Sequence, residues 1–578
     1  MSMKTTSTNQ RPDLAGSALI LTLIMGAIAL AILAAAMSWS SSSTRLTYRF
    51  IQYNRSVAAA EAATEKVVSQ INRDFMYGGE SLVIQNLDTY RRNTAPTSSD
   101  SEYWSTWKFD DAAGNTGQTH VERAPGTNYI VLDSTYAGLK GFASTYTIAS
   151  HAQDTASPQD VIGGVVQQLQ LASIPIFQFA MYSSGNMEIS CGQPFTVTGR
   201  VHSNGHLYVE PDNALTFKSS VTAVIDVLFP QRDPLDTRDK PSGTVVYAAT
   251  NQPVSPVPAL TLPIGTTNTP EAIREIIEPP PAGEDPNSAI GRLRYYNLCD
   301  MVLVVSNTGI SATSGYRINN FKTLIPTNDL ATFVSTASSF TDKREGKTVR
   351  PIDINIGNLA AWSQTNTTLR HSTVGSNLVL NSVYVVDSRS LPSTSLGAVR
   401  VTNGLALPPG GLTVATARPL YVLGDYNAPI LGSTNTSTTR PASLVGDAIT
   451  ILSDAWLDAN SGSEPGAAST TVNAAFLTGA VETTLGHYSG GMENFPRFLE
   501  SWGLANVFTY NGSMIKLFPS LYATGVWGKS NVYDPPKRDW AYDANFDDPT
   551  KLPPKTPSLQ QVIRGRWANV APGQNVAP

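Results

Sequence analysis

The sequence predicts a mainly β protein carried on one long N-terminal α-helix, membrane-spanning at first and amphipathic afterwards. Three observations predict it. The run from Gly16 to Met37 holds no charge over roughly 22 residues, enough to cross a bilayer core of ~30 Å as a helix. Neither glycine nor proline stands between Gly26 and Gly78, so nothing over roughly 50 residues forces that helix to stop. Beyond it, short β-prone segments punctuated by Gly, Asn and Pro fill most of the chain.

At 578 residues the chain is long enough for two to four units. Charged residues make up 15%, well under the usual quarter, and Ser, Thr, Asn, Gly and Pro take their place. That composition suits exported β-structure with many turns. The net charge of -5, with no concentrated basic face, speaks against a nucleic-acid partner.

The helix comes first. Residues 1–16 read as a leader with Lys4 and Arg11 as its basic residues, and three fates compete for the apolar run behind it. A secretory signal would be cut after Ala34–Ala36, a signal-anchor would stay whole, and a prepilin-type leader would be cut between Gly16 and Ser17. Ser40 to Ser43 is the one stretch of poor helix propensity. After it, Leu46, Phe50, Val57, Ala60, Ala63, Val67 and Ile71 recur mostly at three to four residues and form an apolar stripe. At 1.5 Å per residue the helix would run on the order of 80 Å, more than a membrane needs. The excess must pack against its own body or against neighbouring helices.

A positive leader ending in Gly16, an Ala/Leu/Ile run and then NRSVAAAEAATEKVVSQINRD (Asn54 to Asp74) resemble the N-terminal segment of PilX-type minor pilins. The resemblance covers about 65 residues. It maps the family's small-residue stretch onto Ala59, Ala60, Glu61, Ala62 and, on the same helix face, Ala63. It implies partners in the inner membrane, other pilin-like subunits and a prepilin peptidase. Major pilins carry a glutamate at the fifth mature position, where this chain has Leu21, and that departure points to an initiating or tip place. Arg45, Arg49 and Arg55 outnumber Lys4 and Arg11, which by charge alone would keep the body inside the cell. Large domains cross largely regardless of flanking charge, so the expectation is a periplasmic or extracellular body on a bacterial inner-membrane helix.

The body divides by texture. After the helix (17–75), residues 76–176 read as a small β or α+β unit. Residues 177–230 are β-rich, and 231–379 are Pro-rich then mixed, an inserted α/β lobe. Residues 380–485 return to short strands, and 486–578 read as an extended Gly/Pro/aromatic segment strapped over the rest. Strands ending in GD, GR or SD about every 20 residues suit the stacked coils of a β-solenoid, with a β-sandwich bearing long loops as the alternative.

Little catalytic chemistry is legible. His202 and His206 stand four apart in a turn, VHSNGH, where the spacing loses its helical meaning, and they read as hydrogen-bonding turn residues. Asp425, Asp447 and Asp454 fall at coil ends. They serve turn geometry first, calcium or glycan cleavage second. Glu493 and Arg497 read as an ion pair, and Cys191 and Cys299 as one disulfide or two buried thiols. We expect no catalytic residue, cofactor or metal. The functional expectation is a minor or tip component of a type IV pilus or related assembly. A tethered polysaccharide lyase or glycosidase and a pseudopilin-like secretion component are the alternatives.

Overall fold

The computed structural model describes the chain except residues 1–2, 5–14, 112, 133–135, 137, 240–242, 249–251, 321–322, 370–378, 529–531 and 575–578. Helix α1 spans Ala15–Gln85, with one break in its geometry at Gly79, where φ is 70°. Glycine tolerates that left-handed value, so the chain kinks where the sequence first permits it. A second helix, α2 (Leu87–Asn93), comes next and buries Tyr90.

Behind α1 stands an antiparallel sheet. Its members are β1 (Trp107–Asp110), β2 (His120–Arg123), β3 (Asn128–Val131), β4 (Lys140–Asp154) and β5 (Ile162–Pro175). Strand β4 pairs with β1, β2, β3 and β5, all antiparallel. The last member comes from the far end of the chain: Ser558–Asn569 pairs antiparallel along β5, from Ser558↔Pro175 to Asn569↔Val165. Everything from 176 to 557 is therefore inserted between two neighbouring strands of one sheet. The expected extended C-terminal segment is corrected here, since Val507–Gly512, Met514–Pro519, Lys537–Tyr542 and Ser558–Asn569 are all strands.

Much of the insert pairs strand to strand in parallel, with one turn of chain (a coil) separating the partners. In its first part, Met187 pairs with Leu207 and Leu207 with Val227. Phe195 pairs with Leu215, and Val201 with Val221, again one coil of 20 numbers apart. In the widest sheet one row runs Met301, Val383, Val414, Leu444, Phe476, Met514, Met181, Val201, Val221. Every member of the row is buried in one continuous core.

The order in that row reveals the path. The chain enters at Phe179–Ser183, mid-sheet, and coils outward to Val221–Ala223. It then reappears at the other end at Met301–Ser306 and coils back until Met514–Pro519 lies beside its own first strand. The returning segment includes Leu260, Ile273, Ile276 and Tyr295, buried against the outer face of the same sheet beside Tyr384, Val445 and Leu477. Both faces of the wide sheet are thus covered, which explains its near-continuous apolar strands.

Candidate functional site

The two parts of α1 live in opposite surroundings. From Ala18 to Ile51 every residue is exposed, including Leu30 at 68% and Trp39 at 75%. Within it lies a stretch apolar and long enough to cross a membrane. Just after the weak stretch, Thr44 Oγ1 donates to Ser40 O at 2.8 Å and Thr47 Oγ1 to Ser43 O at 2.9 Å, so both hydroxyls are satisfied by the helix's own backbone. Thr22 does the same to Leu19 O at 2.9 Å, so the apolar shaft presents no unpaired hydroxyl there. Gly16 and Ser17 lie on the first turn of α1, and their side chains fall outside the described residues.

From Gln52 onward α1 is seated on the antiparallel sheet. Ala59, Ala60 and Ala63 pack with Trp107, Phe109, Ala152 and Val165, while Val67, Val68, Ile71 and Phe75 pack with Tyr146, Ile148, Leu169 and Leu171. Small residues bring helix and sheet close. At Gly163 a side-chain carbon would stand 2.5 Å from Val57 N and 2.7 Å from Ser56 C, closer than any real contact. Of the five stretch residues, Ala59, Ala60 and Ala63 are buried against the protein's own sheet, and Glu61 and Ala62 are half-buried. The small residues are therefore already used within the chain, and neighbouring helices would meet the shaft before Gln52 instead.

Polar contacts fix the seat. Ser56 Oγ donates to Val161 O at 3.1 Å, and Gln167 Nε2 donates to Thr64 Oγ1 and Glu65 Oε1, each at 2.9 Å. Arg564, on the C-terminal strand, grips Glu65 with both guanidinium nitrogens at 2.5 and 2.8 Å. That fork holds the Glu65 carboxyl below its usual range. Glu80, beyond the kink, accepts from Arg123 at 2.7 Å and from the Tyr146 hydroxyl at 3.1 Å. Asp74 accepts from the Tyr90 hydroxyl at 2.6 Å, and burial together with that carboxylate holds the phenol protonated.

The other expected residues scatter. Cys191 and Cys299 are free buried thiols in two different cores, so the disulfide is not formed. His202 is fully buried, with Thr222 Oγ1 and Asn204 Oδ1 each at 2.9 Å from its ring nitrogens, and burial pulls its pKa down to about 4. Asp425 and Asp454 do meet: burial, then the hydrogen bond to Asp454, pushes Asp425 up to about 6, against the donated Thr471 N–H. Asp447 is elsewhere and sealed, accepting from Arg274 Nη1 at 2.8 Å and from the backbone N–H of Leu521, Tyr522 and Ala523 at 2.7–3.0 Å. The Glu493–Arg497 pair is also corrected. Arg497 binds Glu345 and Ala523 O, while Glu493 accepts from Ser190 N and the Tyr488 hydroxyl.

Sequence reasoning missed the Gly163 contact and the Glu65–Arg564 clasp. The Gly163–Gly164 pair inside a β-prone run was the available signal for the first; the second joins residues 499 apart and left none. No protein-family model matches the chain. No curated protein matches it either. Among solved structures it is similar to the crystal structure of the competence-associated pilin ComZ from Thermus thermophilus, with 9% identity and a TM-score of 0.28, over 78% of this chain and 87% of that one.

Proposed function

We propose that this chain is a membrane-anchored, pilin-like subunit that inserts the shaft before Gln52 into a membrane and then a bundle of similar helices, displaying its coil stack outside. One observation carries the reading: a single helix is exposed over Ala18–Ile51, with an apolar stretch long enough to span a membrane, and packs one face on an antiparallel sheet thereafter. In water such a shaft would expose a large continuous apolar surface, which soluble monomers avoid. A minor or tip place suits the body, because an insert spanning 176–557 would crowd a tightly repeating shaft. Leu21, standing where a pairing glutamate would serve a major subunit, favours the same place.

The test is cysteine cross-linking in cells, with Leu30→Cys and Trp39→Cys introduced singly on the shaft. The expected result is carbonate-resistant membrane association and adducts to other pilin-like subunits. A chain that washes off the membrane and gives no adduct overturns the reading.

A further inference from the structure

The seam where the returning coils meet the first coil holds a cleft of about 360 Å³. That lies within the ~300–1,000 Å³ usual for small-ligand sites. Ser190, Gly192 and Gln193 of the first coil form one wall, and Trp527, Tyr533 and Arg538 form another. Arg538 is the unusual member. It pairs in register with Phe508, and the next pair on the same face is Tyr510 with Trp540, all three aromatics belonging to the coil core. A guanidinium therefore occupies an inward position in an aromatic row.

The charges around it are otherwise accounted for. Arg238 is held by Asp236 at 2.8 Å and lies 3.5 Å over the Tyr488 ring. Asp212 is held by Arg232 at 3.2 Å, and Asp534 accepts from Ser501 Oγ at 2.8 Å. Glu493 is buried and accepts from Ser190 N at 3.2 Å and the Tyr488 hydroxyl at 3.0 Å. Arg538 donates only to Asn494 Oδ1, at 2.8 Å from Nη2; its Nε is buried without a partner, and no ion pair joins it to a carboxylate among the described residues. Burial disfavours its charge, and Glu493 offsets that only in part. Half-buried, with its guanidinium carbon 5.5 Å from the Trp540 ring and no described carboxylate in ion-pair reach, this cation would gain from an incoming anion.

We propose that this cleft binds a sugar acid, its carboxylate on Arg538 and its ring along the Trp527–Tyr533 wall. Planar guanidinium forks match carboxylates, and Gln193 supplies a side-chain amide for ring hydroxyls. A single carboxylate suits the cleft better than a polyphosphate strand, because Asp212 and Asp534 line it and the chain is net acidic. The ligand class is thus an acidic polysaccharide of the kind built from hexuronic acids, with the coil stack as its receptor.

The experiment uses the full chain in detergent micelles, with trigalacturonate as probe and a neutral gluco-trisaccharide as control. Calorimetry should show binding of the acidic probe alone, and Arg538→Gln should weaken it by about ten-fold or more, with Arg538→Lys between. Hydrogen exchange on the unaltered chain should show protection at 488–494 and 533–540, which decides the matter if Arg538→Gln fails to fold. Absence of binding, equal binding of the neutral sugar, an unchanged affinity in a folded Arg538→Gln, or protection confined to other segments would each overturn the proposal. Displacement of the probe by a short oligonucleotide would overturn it in favour of phosphate recognition.

Discussion

At Gly163 the backbone of β5 meets the backbone of α1 with no room for a side chain. Gly163→Ala should lift the helix from its seat and destabilise the small unit by about 1–3 kcal/mol, read as a drop in the first unfolding transition. Glu188 makes a different prediction. Its carboxyl, buried and accepting from the Thr483 hydroxyl at 2.6 Å, is pushed up to about 7, chiefly by burial. The folded protein holds that proton where the unfolded chain, near 4.5, has released it, so this group's contribution falls as pH rises from about 4.5 to 7. Glu188→Gln should therefore gain on the parent across that window, measured as the difference between their denaturation midpoints at each pH. Burial of His202 works in the opposite sense, losing stability as pH falls from 6.5 towards 4, so only the difference between variant and parent isolates Glu188. At Asp447, Asn substitution should cost about 1.5–3 kcal/mol by removing one charged partner of buried Arg274, which keeps its pair with Glu278 at 3.0 Å. Loss of a measurable glycan-cleaving activity in a stably folded Asp447→Asn protein would instead support the tethered-enzyme alternative. None of these three roles was legible, because each depends on what a distant segment brings to the residue.

Among the elements, the helix was the most legible and the closing strand the least. The absence of glycine and proline up to Gly78 announced α1, and the kink falls at the next residue, Gly79. Across Val165–Ser184, β5, a short 3₁₀ turn and Phe179–Ser183 follow one another. Ser558–Asn569 looked like part of a strap because its partner, β5, lies nearly 400 positions earlier and strand pairing leaves no local mark. Two changes separate what this strand contributes. Arg564→Ala removes a largely exposed ion pair, 61% and 37% exposed, and should cost less than about 1 kcal/mol. Leu559→Asp buries an unpaired charge beside Ile174 and should unfold the small unit, seen as lost protection of β5 in hydrogen exchange.

Across the molecule, the expected spacing of about 20 residues matches the strand offsets between Met181 and Val227 among the described residues. Elsewhere the offset stretches to about 30 or more, as in Val383, Val414, Leu444 and Phe476, which is why the copies do not align by eye. That the first coils stack beyond the last is a property of closure, invisible to any reading along the chain. Closure returns the C-terminal strand to the sheet under α1, so shaft, seat and display body form one continuous construction. On the function proposed above, this construction enters a pilin-type pathway through its shaft. Mass spectrometry of the mature N-terminus, after co-expression with a prepilin peptidase, tests that entry at its first step. The expected product is a chain beginning at Ser17. A chain beginning after Ala36 would leave the body without its shaft and contradict the proposal.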